Sequence, residues 1–236
     1  MKTIFSILLI FATLTMLNGQ SIEVEYIYKK HTTKDVDASN NPMVDEIRSI
    51  RADKFVSFTL LHSERRSTFE KSSPEKQYNN GMSDLTFTYE NDKYFKDFKK
   101  NEIRSEQHFI NEYKITGELP KFEWNLSNET TYVLGYKCYK ATMYDCTEDR
   151  EWVAWYTTSI PISNGPLHTG GLPGLILKLE FGNGSMSMVA ENVNYFSDNC
   201  YKIDVPDYKK TITLSEFCEK KRTIFSNLKE QALNGN

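Results

Sequence analysis

The feature that most constrains this chain is the recurrence of short segments in which apolar and polar residues alternate with a period of two. In Ser21 to Lys30, Ile22, Val24, Tyr26 and Tyr28 fall on one face and Glu23, Glu25 and Lys29 on the other. That is the pattern of an antiparallel strand with one buried face and one wet face. Lys54 to Leu61 repeats it with Val56, Phe58 and Leu60 in phase, and Arg65 to Glu70 extends the sheet. Leu85 to Tyr89, Tyr94-Phe95 and the run from Asn101 to Tyr113 add further strands. Between them lie turn-rich stretches: His31 to Pro42, Lys71 to Ser83 with Pro74 and Asn79-Asn80-Gly81, and Glu90-Asn91-Asp92. No helix alternates with the strands as a parallel α/β sheet requires. The expected class is mainly β (α+β), an antiparallel meander forming a curved sheet or half-open barrel.

The second half adds strands of another kind. Thr131 to Tyr144 and Glu151 to Thr157 carry bulky residues on both faces, which predicts a central position in the sheet. Leu175 to Phe181 and Ser185 to Val193 flank Gly182-Asn183-Gly184 and read as a hairpin. At the C-terminus, Thr213-Leu-Ser-Glu216 is a capping box, followed by Leu214, Phe217, Ile224, Leu228 and Ala232 at helical spacing. An amphipathic helix packed on the sheet follows from this.

The N-terminus has the order of a secretory signal peptide: Lys2, an apolar run from Ile4 to Leu17, then Asn18-Gly19-Gln20. The apolar run falls short of the ~20 residues a membrane span needs. Residues 1–19 are therefore expected to be removed, leaving 20–236 as a single soluble domain without a membrane span, in the periplasm or secreted. A formal net charge of -3 with mixed signs points away from nucleic acid as a partner. Four cysteines, Cys138, Cys146, Cys200 and Cys218, suggest disulfides in such a compartment. Three pairings are open, and proximity favours Cys138 with Cys146 and Cys200 with Cys218. No Cys-x-x-Cys occurs and the four histidines lack ligand spacing, so neither a metal nor another cofactor is expected.

Ile160 to Ile176 holds three of the seven prolines and four of the eleven glycines. Pro161, Pro166 and Pro173 fix φ, and Gly165, Gly170, Gly171 and Gly174 open conformations closed to other residues, so a shaped loop joins two strands. Around it stand Gly135-Tyr136-Lys137-Cys138, Lys140-Ala141-Thr142, Arg150, Ala154-Trp155-Tyr156-Thr157, Ile160-Pro161, Gly165-Pro166 and Gly171-Leu172-Pro173-Gly174-Leu175-Ile176. In that order these residues resemble the signature of the GLPGLI family of Bacteroidetes proteins. The resemblance covers Tyr136 to Leu179. It implies a secreted, β-rich protein with no established activity, often encoded near TonB-dependent outer-membrane receptors.

Gly-x-Ser-x-Gly and His-Glu-x-x-His are absent, and neither Gly171–Gly174 nor Gly182–Gly184 has the companions of a phosphate or dinucleotide loop. His168 with Asp145, Glu148 or Asp149 is the best enzymatic combination, set against the plainer reading of a surface histidine. Trp152, Trp155, Tyr156 and Tyr139 suit sheet packing or the lining of an apolar pocket. The Pro/Gly loop, projecting from the sheet with Leu167 and Leu172 exposed, suits a strand connection or a recognition surface. The expected function is a non-enzymatic exported accessory or binding protein of the cell envelope. Its partner would be an outer-membrane receptor or envelope protein, or a peptide or lipid-like ligand. The alternatives are a secreted hydrolase of unrecognised type and a purely structural envelope protein.

Overall fold

The computed structural model describes residues 21–30, 55–72, 89–145, 150–181, 184–196 and 201–234. The expected signal peptide, the His31 to Pro42 connection, most of Lys71 to Ser83, the start of Leu85 to Tyr89, and Cys146 and Cys200 lie outside the described residues.

The strands are β1 (Ser21–Lys30), β2 (Phe55–Ser63), β3 (Arg66–Lys71), β4 (Lys93–Asp97), β5 (Glu102–Phe109), β6 (Asn111–Glu118), β7 (Asn125–Val133), β8 (Tyr136–Asp145), β9 (Arg150–Thr157), β10 (Leu175–Phe181), β11 (Met186–Phe196) and β12 (Ile212–Thr213). A helix, α1 (Leu214–Asn234), follows. All twelve strands form one curved, unclosed sheet in the order β12-β6-β5-β4-β3-β2-β1-β11-β10-β9-β8-β7. Every pairing is antiparallel except β12 with β6. The mainly β meander read from the alternation is the fold observed.

The first strand lies at the middle of the sheet because β11 returns to pair with it along Ser21–Lys30. Ile22, Val24, Tyr26 and Tyr28 are accordingly almost fully buried. The core continues through Phe58, Leu60, Phe69 and Tyr94 on one side and through Met188, Phe181, Leu179 and Trp152 on the other. Parallel ring stacking joins Phe58 to Phe69 at 5.1 Å, and Trp152 stacks on Phe181 at 5.3 Å.

Three expectations need correction. Asn101 to Tyr113 and Thr131 to Tyr144 are each two strands, because the chain reverses at Ile110 (φ 63°) and at Leu134-Gly135 (φ 51° and 78°). A left-handed leucine or isoleucine carries no turn signature in sequence. The β8–β9 pair sits near one end of the sheet rather than at its centre. Its second face is half-covered by long side chains instead of by another layer: Trp155 Nε1 donates to Glu180 at 2.9 Å, and Lys140 lies over the Trp155 ring. Finally, the Pro/Gly loop does not project. Ile160, Leu167 and Leu172 are no more than 2% exposed, because the loop folds back over the core face of the sheet. Each such side chain gains about 1.5–3 kcal/mol on burial.

At the other end, α1 begins at the expected capping box. Glu216 N–H donates to Thr213 Oγ1 at 3.1 Å, and Thr213 N–H donates to Glu216 Oε2 at 2.7 Å. Phe217 and Phe225 pack on Tyr113 and Phe109, so the helix covers β5 and β6. Among the described residues no helix is long and apolar enough to cross a membrane.

Candidate functional site

Two places concentrate unusual chemistry, and the first is the anchor of the Pro/Gly loop. Along β4, Tyr94 and Lys96 share a face, and Lys96 stands opposite Ser67 of β3 and Ile103 of β5. The strand's phase thus sends a lysine into the core, where it is 2% exposed. Its ammonium donates to Asn164 Oδ1 at 2.9 Å, Thr169 O at 2.7 Å and Gly165 O at 3.2 Å. Three donors meet three acceptors, all from the loop. Burial pulls the Lys96 pKa down to about 7.

Asn164 is itself fully buried, and its Oδ1 accepts a second hydrogen bond from Gly165 N–H at 2.9 Å. Among the described residues its Nδ2 has no hydrogen-bond partner. A Cβ at Gly165 would lie 2.8 Å from Ile176 and Thr169 atoms, so only glycine permits this close approach. Leu167 adopts φ 55°, a left-handed conformation costly for leucine and held here by its complete burial. Trp124 Nε1 donates to Gly170 O at 2.9 Å and closes the far side of the loop.

His168 packs its ring against Tyr94, Phe122 and Trp152, with centroids 5.6–6.0 Å away. His62, across β3 from Lys96, has its pKa lowered to about 4, first by burial and then by the Lys96 and Arg65 charges. Beside these groups lies a cavity of about 180 Å³ lined by Lys96, Phe98, Leu119, Phe122, His168 and Gly170, among others.

The second place is a split in the sheet. β10 and β11 pair only over Lys178–Phe181 and Met186–Val189, after which β11 runs on to Phe196 alongside β1. Tyr26 hydroxyl donates to Ile176 O at 2.7 Å, occupying a carbonyl where β10 turns away. The divergence opens a cleft of about 600 Å³ lined by Tyr132, Val133, Leu134, Trp155, Lys178, Ala190 and Glu191, among others. Tyr132 is 71% exposed. The Tyr136 and Tyr195 hydroxyls meet at 3.2 Å, joining β8 to β11.

Among the residues singled out from sequence, the structure brings the buried Trp152 and the half-buried His168 into contact and places Trp155 alone in the cleft. Tyr156 is buried in the core beside Tyr139. Leu167 and Leu172, expected on the surface, are core residues. Pro166, Gly165 and Gly174 are buried within the loop, while Pro161, Gly171 and Pro173 stay exposed. Cys138 is a buried free thiol whose Sγ donates to Tyr136 O, burial pushing its pKa up. Cys218 lies half-buried on α1. Sequence reasoning missed Lys96 and Asn164. The signal for Lys96 was its phase with Tyr94, two residues earlier.

A family model described as "Protein of unknown function (Porph_ging)" matches residues 145–178, which contain β9, the loop and most of β10. No curated protein matches the sequence. Two solved structures of PNGF-II, in space groups C2 and P21, resemble the chain with TM-scores of 0.51 and 0.50 at 19% and 18% identity. Each superposition covers 86% of this chain but only 33% and 34% of PNGF-II. At that identity the likeness concerns the fold, and the chain spans about a third of the protein it resembles.

Proposed function

We propose that this protein is a non-enzymatic, exported accessory protein of the cell envelope that receives an extended peptide segment of a partner in the cleft between β10 and β11. The observation that carries this reading is the early end of the β10–β11 ladder. Past Val189, β11 stays paired to β1 while Ala190 and Glu191 line the cleft on its other side, where an added strand would pair. Trp155 offers a flat aromatic contact there, and Lys178 and Glu191 offer charged groups of both signs. A lipid-like ligand would call for an enclosed apolar cavity, whereas this cleft is open and partly polar.

The envelope setting rests on the leader-like N-terminus and on the resemblance to the GLPGLI family, whose hexapeptide lies within the segment matched by the family model. That setting favours an outer-membrane receptor or an associated envelope protein as the partner. The packing of His168 among three rings supports a structural role for it and weighs against the hydrolase alternative.

Mild isolation from the periplasm with mass spectrometry of the bound molecules, run beside Trp155→Ala, tests the reading. A partner retained by the wild type and lost from a fully folded Trp155→Ala protein is expected. An empty wild-type protein, or equal retention by the variant, would sink it.

A further inference from the structure

We infer that Lys96 and Asn164 are joined by an intramolecular isopeptide bond, which ties β4 covalently to the Pro/Gly loop. Several observations converge on this pair. The Lys96 amine lies 2.9 Å from Asn164 Oδ1, which, with a C=O bond of about 1.23 Å, puts the carboxamide carbon no more than about 4.1 Å away. Its other two contacts are the carbonyls of Gly165 and Thr169. In the charged form an N–H faces Asn164 Oδ1; a neutral amine has two N–H groups and one lone pair, so the carbonyls of Gly165 and Thr169 can hold both hydrogens while a turn of the amine brings the lone pair from Oδ1 toward Cγ. Burial without a carboxylate among its hydrogen-bond partners makes the neutral form accessible near neutral pH.

Asn164 is prepared in a complementary way. Gly165 N–H donates to its Oδ1, which stabilises the negative charge that gathers on this oxygen during attack. Among the described residues the amide nitrogen that would leave has no hydrogen bond to lose. An unpartnered buried amide N–H carries a desolvation cost that nothing offsets, and its departure removes that cost. The adjacent cavity, which Lys96 lines, gives ammonia a way out.

In the step itself, Lys96 Nζ attacks Asn164 Cγ and a new C–N bond forms. The Cγ–Nδ2 bond breaks, a proton from Nζ passes to Nδ2, and one ammonia leaves. Nothing is oxidised or reduced. The product links residues 68 positions apart and would act as a staple on the unfolded chain, as a disulfide does. It also accounts for a buried lysine whose hydrogen-bond acceptors among the described residues all come from the loop.

One competing reaction uses the same carbonyl. Asn164-Gly165 is an Asn-Gly pair, and attack by the Gly165 nitrogen would release the same ammonia as a succinimide. Fragmentation by mass spectrometry separates the two. The purified mature protein should contain a branched peptide joining Lys96 to Asn164, lighter than its two linear parts by one ammonia. Lys96→Arg and Asn164→Ala should each lack it. Recovery of Lys96 and Asn164 in separate linear peptides from the wild-type protein overturns the proposal. So does loss of ammonia located within Asn164-Gly165 alone. Both readouts come from the wild-type chain, so a variant that fails to fold leaves the test intact.

Discussion

Gly174 and Gly135 are required for different reasons, and substitutions at the two should separate them. A Cβ at Gly174 would stand 2.0 Å from Thr157 O, a contact that only backbone movement relieves. Gly135 has open space around it but φ +78°. Gly135→Ala should therefore cost about 1 kcal/mol through its dihedral angle, and Gly174→Ala about 3 kcal/mol or more through the clash. Urea unfolding of both variants reads the difference directly; equal costs would contradict it. Asp92 allows a second prediction. Burial pushes its pKa up from 3.8 to about 6, against hydrogen bonds from His108 N–H and Tyr94 hydroxyl that pull it down. The folded state thus holds a proton that the unfolded state has lost, so this group's contribution to stability falls as pH rises through that window, by about 3 kcal/mol in all. His62 works in the opposite direction. Its pKa drops from 6.5 to about 4 on folding, so the unfolded state takes the proton first and stability rises between those values. The two slopes oppose each other in the wild type. Asp92→Asn should uncover a stability that climbs with pH from about 4 to 6.5, measurable as urea midpoints at several pH values. An unchanged profile would show that Asp92 does not titrate as described.

At the scale of elements, α1 and the β7–β8 hairpin show how much local signals achieve. The capping box formed where Thr213 and Glu216 predict it, since both orphan N–H groups find acceptors within one turn of chain. The helix nevertheless depends on packing. Phe217 is 3% exposed against Tyr113, and Phe217→Ala should cost about 3 kcal/mol. Limited proteolysis should then cut the helix before the sheet. Simultaneous loss of both would mean that helix and sheet unfold as one unit. The β7–β8 hairpin marks the limit of local reading. Its turn uses Leu134 and Gly135, and the leucine's left-handed angle is imposed by the pairing of the strands on either side. The same holds at Ile110 between β5 and β6. Alternation survives across such a turn, so two strands read as one.

For the whole molecule, the Pro/Gly loop acts as a core layer. It supplies Ile160, Leu167 and Leu172 to the inner face of the sheet and is fastened by Lys96, Tyr26 and Trp124. Replacing residues 161–173 with a flexible Gly/Ser linker of the same length should abolish cooperative unfolding, as followed by near-UV circular dichroism. A retained sharp transition would show that the sheet closes without the loop.

What the sequence determined by itself is the class of the fold: short antiparallel strands, a β10–β11 hairpin and a capped C-terminal helix. These follow from period-two and helical patterns and from capping chemistry, which act between residues close in the chain. It also marked the Pro/Gly loop as a shaped element. Only the tertiary structure decided that the loop is buried, that β1 is central, that β10 parts from β11 to leave a cleft beneath Trp155, and that Lys96 meets Asn164. Each of these brings together residues far apart in the chain, and local pattern carries no information about which distant surface a buried side chain will meet. Lys96 shows this most clearly: its phase on β4 pointed inward, yet its partners were set by a loop 68 residues away.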